Sequence, residues 1–155
     1  MIVPIDFKIP EILKTDKFIL KPLTVEFLEL DYDAVNFSIH HLKGIFGNDW
    51  PPSNITKEQD LEDLKWHQGE FEKRSSFAYT VLNLDETECL GCVYIYPSKK
   101  KSFEVDVFYW VRQSMIYLDK ELGLVVRKWL EEKWPFKKIA YPGRDISWKE
   151  FELLE

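Results

Sequence analysis

An α+β domain is what this sequence predicts, on three observations. Residues 103–112 (FEVDVFYWVR) alternate with the period of a strand, so Phe103, Val105, Val107, Tyr109 and Val111 share one face and Glu104, Asp106, Phe108, Trp110 and Arg112 the other. Residues 119–134 then change to a helical period, with Leu118, Leu122, Val125, Val126, Trp129 and Leu130 in one apolar stripe. Between residues 76 and 112, three alternating runs are joined by short polar links, the pattern of an antiparallel meander.

Taken in order, residues 1–17 carry Pro4 and Pro10 and form a lead-in that either crosses the surface or adds an edge strand. Residues 18–23 (FILKPL) read as a short strand, which Pro22 ends or confines to an edge. A helix is expected from Thr24, with Glu26 in a first turn that favours negative charge. Its buried face holds Leu28, Tyr32, Val35, Ile39 and Leu42, and Gly44 and Gly47 break it. His40 and His41 sit at its end, where adjacent helical positions diverge too far for two imidazoles to share a metal. Trp50, in a loop with Pro51 and Pro52, is expected to pack under the sheet. Thr56 and Gln59 form a capping box that opens a second helix, with Leu61, Leu64, Gln68 and Phe71 on its inner side and His67 beside them as a core or boundary residue.

The strand period starts at Ser76 and returns over residues 90–96 and 103–112. Lys99, Lys100 and Lys101 fall in the second link, read as a solvated hairpin tip. Asp119 suits a helix N-cap, since its carboxylate can accept from free first-turn amides. Pro135 stops that helix, and residues 137–141 (KKIAY) complete a crossover that sets the last strand parallel to 103–112. Residues 145–155 form a short tail with Trp148, Phe151 and Leu154 on one side.

The bulk properties exclude several function classes. The 155 residues suit a single domain, 1–155, and the aromatic content of 15% can fill a substantial core. A net charge of −6 argues against a general nucleic-acid binder, which needs a basic face. No apolar run is long enough to span a bilayer, and the N-terminus lacks the basic start and apolar stretch of a signal peptide, so the cytoplasm is the expected compartment. Cys89 and Cys92 match C-x-x-C, but an odd separation along a strand should set the thiols on opposite faces, so no metal or redox site is expected.

The element order, strand, helix, helix, three antiparallel strands, helix, strand, resembles the GNAT N-acetyltransferase superfamily. The segments FILKPLTVEFLELDYDAV, SFAYTVLNLD, CLGCVYIYP and VFYWVR are similar to those of bacterial members, and the resemblance runs from about Phe18 to Arg144. It implies a mainly antiparallel mixed sheet flanked by helices and an acetyl-CoA cosubstrate. It also implies direct acetyl transfer to a small-molecule or peptide amine. In that family pantetheine lies where the central strand splays from the next. Carried over, Tyr109, Trp110 and Val111 would meet pantetheine, Arg112 and Gln113 would also contact the cofactor, and residues near Ser114 to Lys120 would meet the phosphates. Glu104 and Asp106 are the strand carboxylates for a general base on the amine, and Tyr141 is the tyrosine placed to protonate the leaving thiolate.

Two departures favour a second reading, a non-catalytic GNAT-like binding domain. The family's phosphate loop carries glycines that let the backbone approach the pyrophosphate. Here the segment is RQSMIYLDKELG, with Gly123 too late and Asp119 adding negative charge. Few residues follow Tyr141, where relatives add a helix and two strands over the acceptor site. A sheet edge left open there would suit a homodimer.

Overall fold

The computed structural model describes residues 1–155 and contains one six-stranded sheet in the order β1-β2-β3-β4-β5-β6. Strands β1 (Leu13–Lys14), β2 (Phe18–Pro22), β3 (Phe77–Asn83), β4 (Cys89–Pro97) and β5 (Val105–Val111) pair antiparallel. Helix α4 (Asp119–Lys133) crosses back to β6 (Ile139–Ala140), which pairs parallel to β5 as Val105↔Ile139 and Asp106↔Ala140. The polar links between β3, β4 and β5 make the expected meander.

Every residue of β5 is buried, because the strand is covered on both faces. Val105, Val107, Tyr109 and Val111 join Leu122, Val126, Trp129 and Leu130 of α4 in the larger core, with Phe18, Leu20, Phe77 and Tyr79 from the neighbouring strands. Phe108 and Trp110 lie on the opposite face, in a second core under α1 (Leu28–Phe37), α2 (Ile39–Leu42) and α3 (Lys57–Glu72). Gly123 serves this packing: a Cβ there would lie 2.5 Å from Tyr109 Oη, so glycine lets α4 sit close on β5.

Several boundaries differ from the expectation. The helix from Thr24 is a 3-10 turn, Val25–Phe27, followed by α1, and Ser38 separates α1 from α2. The capping box at Thr56 and Gln59 is formed and starts α3. Strand β5 begins at Val105; just before it Glu104 keeps backbone bonds to Ser98 and Lys138, and its carboxylate accepts from the Lys137 and Lys138 amides at 2.6 and 2.7 Å. Asp119 is no N-cap: a 3-10 segment, Gln113–Leu118, leads directly into α4, and no side chain caps it.

Both ends of the chain are tied down. The lead-in supplies the edge strand β1 and also crosses the surface, where Pro10 accepts from Tyr79 Oη at 2.5 Å and Phe7 packs on Trp134. After β6, a turn at Gly143 leads to α5 (Trp148–Glu152), capped by Ser147. The tail is held at the β4–β5 link, where Lys100 Nζ donates to the Leu154 carbonyl at 2.6 Å and the Lys101 amide to that of Glu155 at 2.7 Å. No helix is long and apolar enough to cross a membrane.

Candidate functional site

A large cavity, about 720 Å³, lies on the α1–α3 face of the sheet. Its aromatic wall includes Phe46, Trp50, Trp66, Tyr94, Tyr96, Phe108 and Trp148, and its carboxylates are Asp31, Asp60, Asp63, Glu70 and Asp106. Strand period two aims Tyr94, Tyr96, Asp106 and Phe108 into it, and α3 aims Asp60, Asp63 and His67. Phe46 sits against Trp50, Tyr94 and Phe108, at centroid distances of 5.2, 5.0 and 5.1 Å. Trp50 therefore lines a cleft rather than simply packing under the sheet. Lys99 and Lys100 also reach the lining, so the hairpin tip is part of the rim.

The polar groups of this cavity are strained electrostatically. Burial raises the Asp106 carboxyl above its ordinary range, an effect that Ser98 and Lys100 offset in part, and its Oδ1 has no hydrogen-bond partner. Burial raises Asp63 too, with Trp50 opposing. Burial lowers His67 to about 4, so the ring is neutral, and its Nδ1 is unpartnered. Asp31 and Asp60 are 3% and 1% exposed, and burial raises both; neither makes an ion pair with a lysine, arginine or histidine.

A second cavity, about 380 Å³, opens beside the N-terminal end of α4. It is lined by His41, Lys43, Trp110, Ile116, Asp119, Gly143, Arg144 and Trp148, among others. Its charge is mainly basic, from Lys43 and Arg144 against Asp119 alone. Trp148 lines both cavities. Its ring stacks on Phe108 at 5.9 Å and 10° and rests on Gly47 and Gly143, where any Cβ would lie 2.8 Å from it.

Beyond Asp106, β5 and β6 are no longer paired. In this gap Arg144 Nη2 donates to the Tyr109 carbonyl at 2.8 Å, and the guanidinium lies 3.6 Å above the Tyr109 ring. Asp119 holds the same guanidinium through both oxygens, at 2.8 and 2.9 Å. The Val111 carbonyl accepts from His41 Nε2 at 3.1 Å.

Several residues assigned by resemblance to the cofactor are engaged within the protein. Arg112 is 6% exposed and turns inward, pairing with Asp33 and Glu88 and donating to the Cys89 carbonyl and Ser114 Oγ. The Gln113 amide donates to Ser38 Oγ at 3.0 Å. Trp110 Nε1 donates to Tyr94 Oη at 2.9 Å.

The structure separates the three residues considered for acid–base work. Asp106 faces the large cavity. Glu104 does not, and the Lys137 and Lys138 amides hold its carboxyl below the usual range. Tyr141 belongs to the core on the α4 face, lines neither cavity, and lies 3.8 Å under the Arg127 guanidinium. Burial pushes its phenol up to about 12.

The two cysteines depart most from expectation. Val81 pairs with Gly91 while Leu82 pairs with Cys89, so Leu90 is an extra residue in β4. That bulge restores Cys89 and Cys92 to one face, and their sulfurs lie within 4.8 Å of each other and of an Asp31 carboxylate oxygen. The cysteine spacing alone could not show this. The buried Asp31 and Asp60 also escaped the sequence reading, although both occupy positions on the inner faces of their helices.

No family model matches the sequence, and no characterised protein matches it at the sequence level. Solved structures do match the fold. The chain is similar to a ribosomal-protein-S5-alanine acetyltransferase from Vibrio fischeri, with a TM-score of 0.66 and 15% identity over 88% of this chain and 76% of that one. It is also similar to a ribosomal L7/L12 α-N-protein acetyltransferase in complex with coenzyme A, with a TM-score of 0.61 and 13% identity over 80% and 71%. A third is the microcin C7 self-immunity acetyltransferase in complex with acetyl-CoA and AMP, with a TM-score of 0.57 and 12% identity over 77% and 67%. The chain has the GNAT acyl-CoA N-acyltransferase fold.

Proposed function

We propose that this protein is an acetyl-CoA-dependent N-acetyltransferase that holds a cationic amine in the large cavity. The observation that carries this reading is the meeting of two cavities of opposite character at Trp148. The smaller has lysine and arginine at the end of a β5–β6 gap and suits the phosphates of a CoA ester. The larger has carboxylates among aromatic rings and suits an ammonium group, which gains from both. Solved structures similar in fold include ribosomal-protein acetyltransferases and a microcin C7 self-immunity acetyltransferase, which supports an amine acceptor without choosing among amines.

Acetyl-CoA would supply the activated acetyl thioester. Lys43 and Arg144 would hold its phosphates, and the β5 edge at Tyr109 and Val111 would hold the arm. An ammonium cannot attack a carbonyl until it loses a proton. Asp106 is the base for that step: it faces the cavity, its Oδ1 is free, and burial raises its proton affinity. Glu104 is committed to two backbone amides and serves the β5–β6 connection instead. Tyr141, across the sheet from Asp106, serves the Arg127 contact, so the leaving thiolate takes its proton from water in this scheme.

A second reading, an amine-binding domain without transferase activity, is favoured by one observation: Arg144 and His41 already occupy the Tyr109 and Val111 carbonyls. Calorimetric titration with acetyl-CoA, followed by a thiol-release assay over a panel of amines, separates the two. Micromolar binding, about −8 kcal/mol, with amine-dependent thiol release supports the transferase. Amine binding without acetyl-CoA binding at millimolar concentration supports the second reading. Asp106→Asn should lower turnover by about 100-fold or more, and full activity in that variant would overturn the base assignment.

A further inference from the structure

We infer that Asp31, Cys89 and Cys92 bind one divalent metal ion of the zinc type at the floor of the large cavity, with Asp60 supporting Asp31. The three ligand atoms are buried and lie within 4.8 Å of one another, and Cys92 Sγ is 3.4 Å from Asp31 Oδ1. Zinc–sulfur and zinc–oxygen bonds of about 2.3 and 2.0 Å put the ligand atoms of a tetrahedral site roughly 3.3–3.8 Å apart. The contraction needed is therefore a fraction of what side-chain rotation provides. Two thiolates and one carboxylate form a donor set for zinc, and oxygen-seeking ions such as magnesium are disfavoured by the sulfurs.

A second observation points to the same place. Asp60 is 1% exposed, packs against Asp31 from α3, and leaves its Oδ2 without a hydrogen-bond partner. No basic side chain pairs with either carboxylate, and the donors to Asp31 are the Cys92 thiol and the Asp60 carboxyl, which shares a proton with it. Buried carboxylates of this kind need a proton or a cation, and a metal ion supplies the countercharge. Metal ligands are themselves oriented by hydrogen bonds from a surrounding shell. Here Thr80 Oγ1 donates to Cys89 Sγ at 3.6 Å, and Arg112 Nη1 fixes the Cys89 carbonyl at 3.2 Å.

The backbone is shaped for the cluster as well. The Leu90 bulge is what turns Cys89 and Cys92 to one side of β4, and α1 places Asp31 over them. Gly91, inside the bulge, admits no side chain, since a Cβ would collide with the Trp110 carbonyl. Asp31 and Asp60 both line the large cavity, which puts the carboxylate side of the cluster against it.

Cobalt(II) titration of the reduced, metal-free full chain tests this, because cobalt reports thiolate ligation by absorption. One equivalent should produce a thiolate-to-cobalt charge-transfer band in the near ultraviolet and tetrahedral bands in the visible, and zinc should bleach both. Cys89→Ser with Cys92→Ser should abolish the charge-transfer band. Asp60→Asn should keep it and weaken affinity by about 10–100-fold. A wild-type protein with no thiolate band overturns the proposal without reference to any variant, and so does a band that survives in the double serine variant.

Discussion

On the α4 face of the sheet, charge is matched with care. Arg127 lies on Tyr141 and closes on Asp145 at 2.6 and 2.8 Å, and Arg144 lies on Tyr109 and closes on Asp119 at 2.8 and 2.9 Å. On the α1–α3 face, Asp31, Asp60 and Asp106 are buried with no ion-pair partner, and Asp60, Asp106 and His67 account for three of the six buried side-chain atoms without a hydrogen bond. One strand, β5, feeds both faces through alternate residues. Unpaired buried polar groups cost free energy, and on the cavity face that cost falls on titratable groups. The α4 face supplies the apolar burial that offsets that cost.

Mutations can break or sharpen this contrast. The largest effect is expected on the α4 face, where Trp129 meets Tyr79 and Trp134 edge to face at 5.0 and 5.4 Å. Trp129→Ala should cost about 3–5 kcal/mol in a urea melt. A loss as small as that of a surface residue would show that this face is not the stabilising one.

Next comes the cavity face. His67 has a folded pKa lowered to about 4, so folding favours the neutral ring. The stability it contributes is complete above the unfolded value near 6.5 and is lost as pH falls toward 4, by about 3 kcal/mol at most. Glu70 and Asp63 face it from α3, and Tyr94 and Tyr96 from β4. Asp31, Asp60, Asp63 and Asp106, whose carboxyls burial raises, titrate with the opposite sign over the same range, so the window is read as the difference between wild type and His67→Phe in thermal melts against pH. A difference that stays flat between pH 6.5 and 4 would remove the argument.

Asp119→Ala should raise acetyl-CoA affinity by about fivefold, roughly 1 kcal/mol, by freeing Arg144 and removing a negative charge from the basic cavity. Weaker binding would show that the Asp119–Arg144 pair organises the site. The smallest effect belongs to Glu104→Gln, which should cost about 0.5 kcal/mol of stability and leave turnover unchanged. A large loss of turnover would return Glu104 to the candidate bases.

The legible part of this protein is what local spacing encodes. The alternation of 103–112 and the apolar stripe of 119–134 led to β5, α4 and the parallel β6, and Thr56 with Gln59 marked the start of α3. Asp106 could be placed on the Trp110 face from period two alone. The fate of the Glu104 carboxylate could not be read that way, because the amides that hold it lie 33 and 34 residues away.

Fold class and strand order therefore follow from residue order, since helical and extended periods are written into neighbouring side chains. The site follows from contacts between distant segments. The Leu90 bulge reverses the facing of Cys89, α1 and α3 bring Asp31 and Asp60 together, and α5 carries Trp148 between the cavities. Such placements depend on register, bulges and loop closure, which no single stretch of sequence contains, and in this chain they decide which carboxylates and thiols meet.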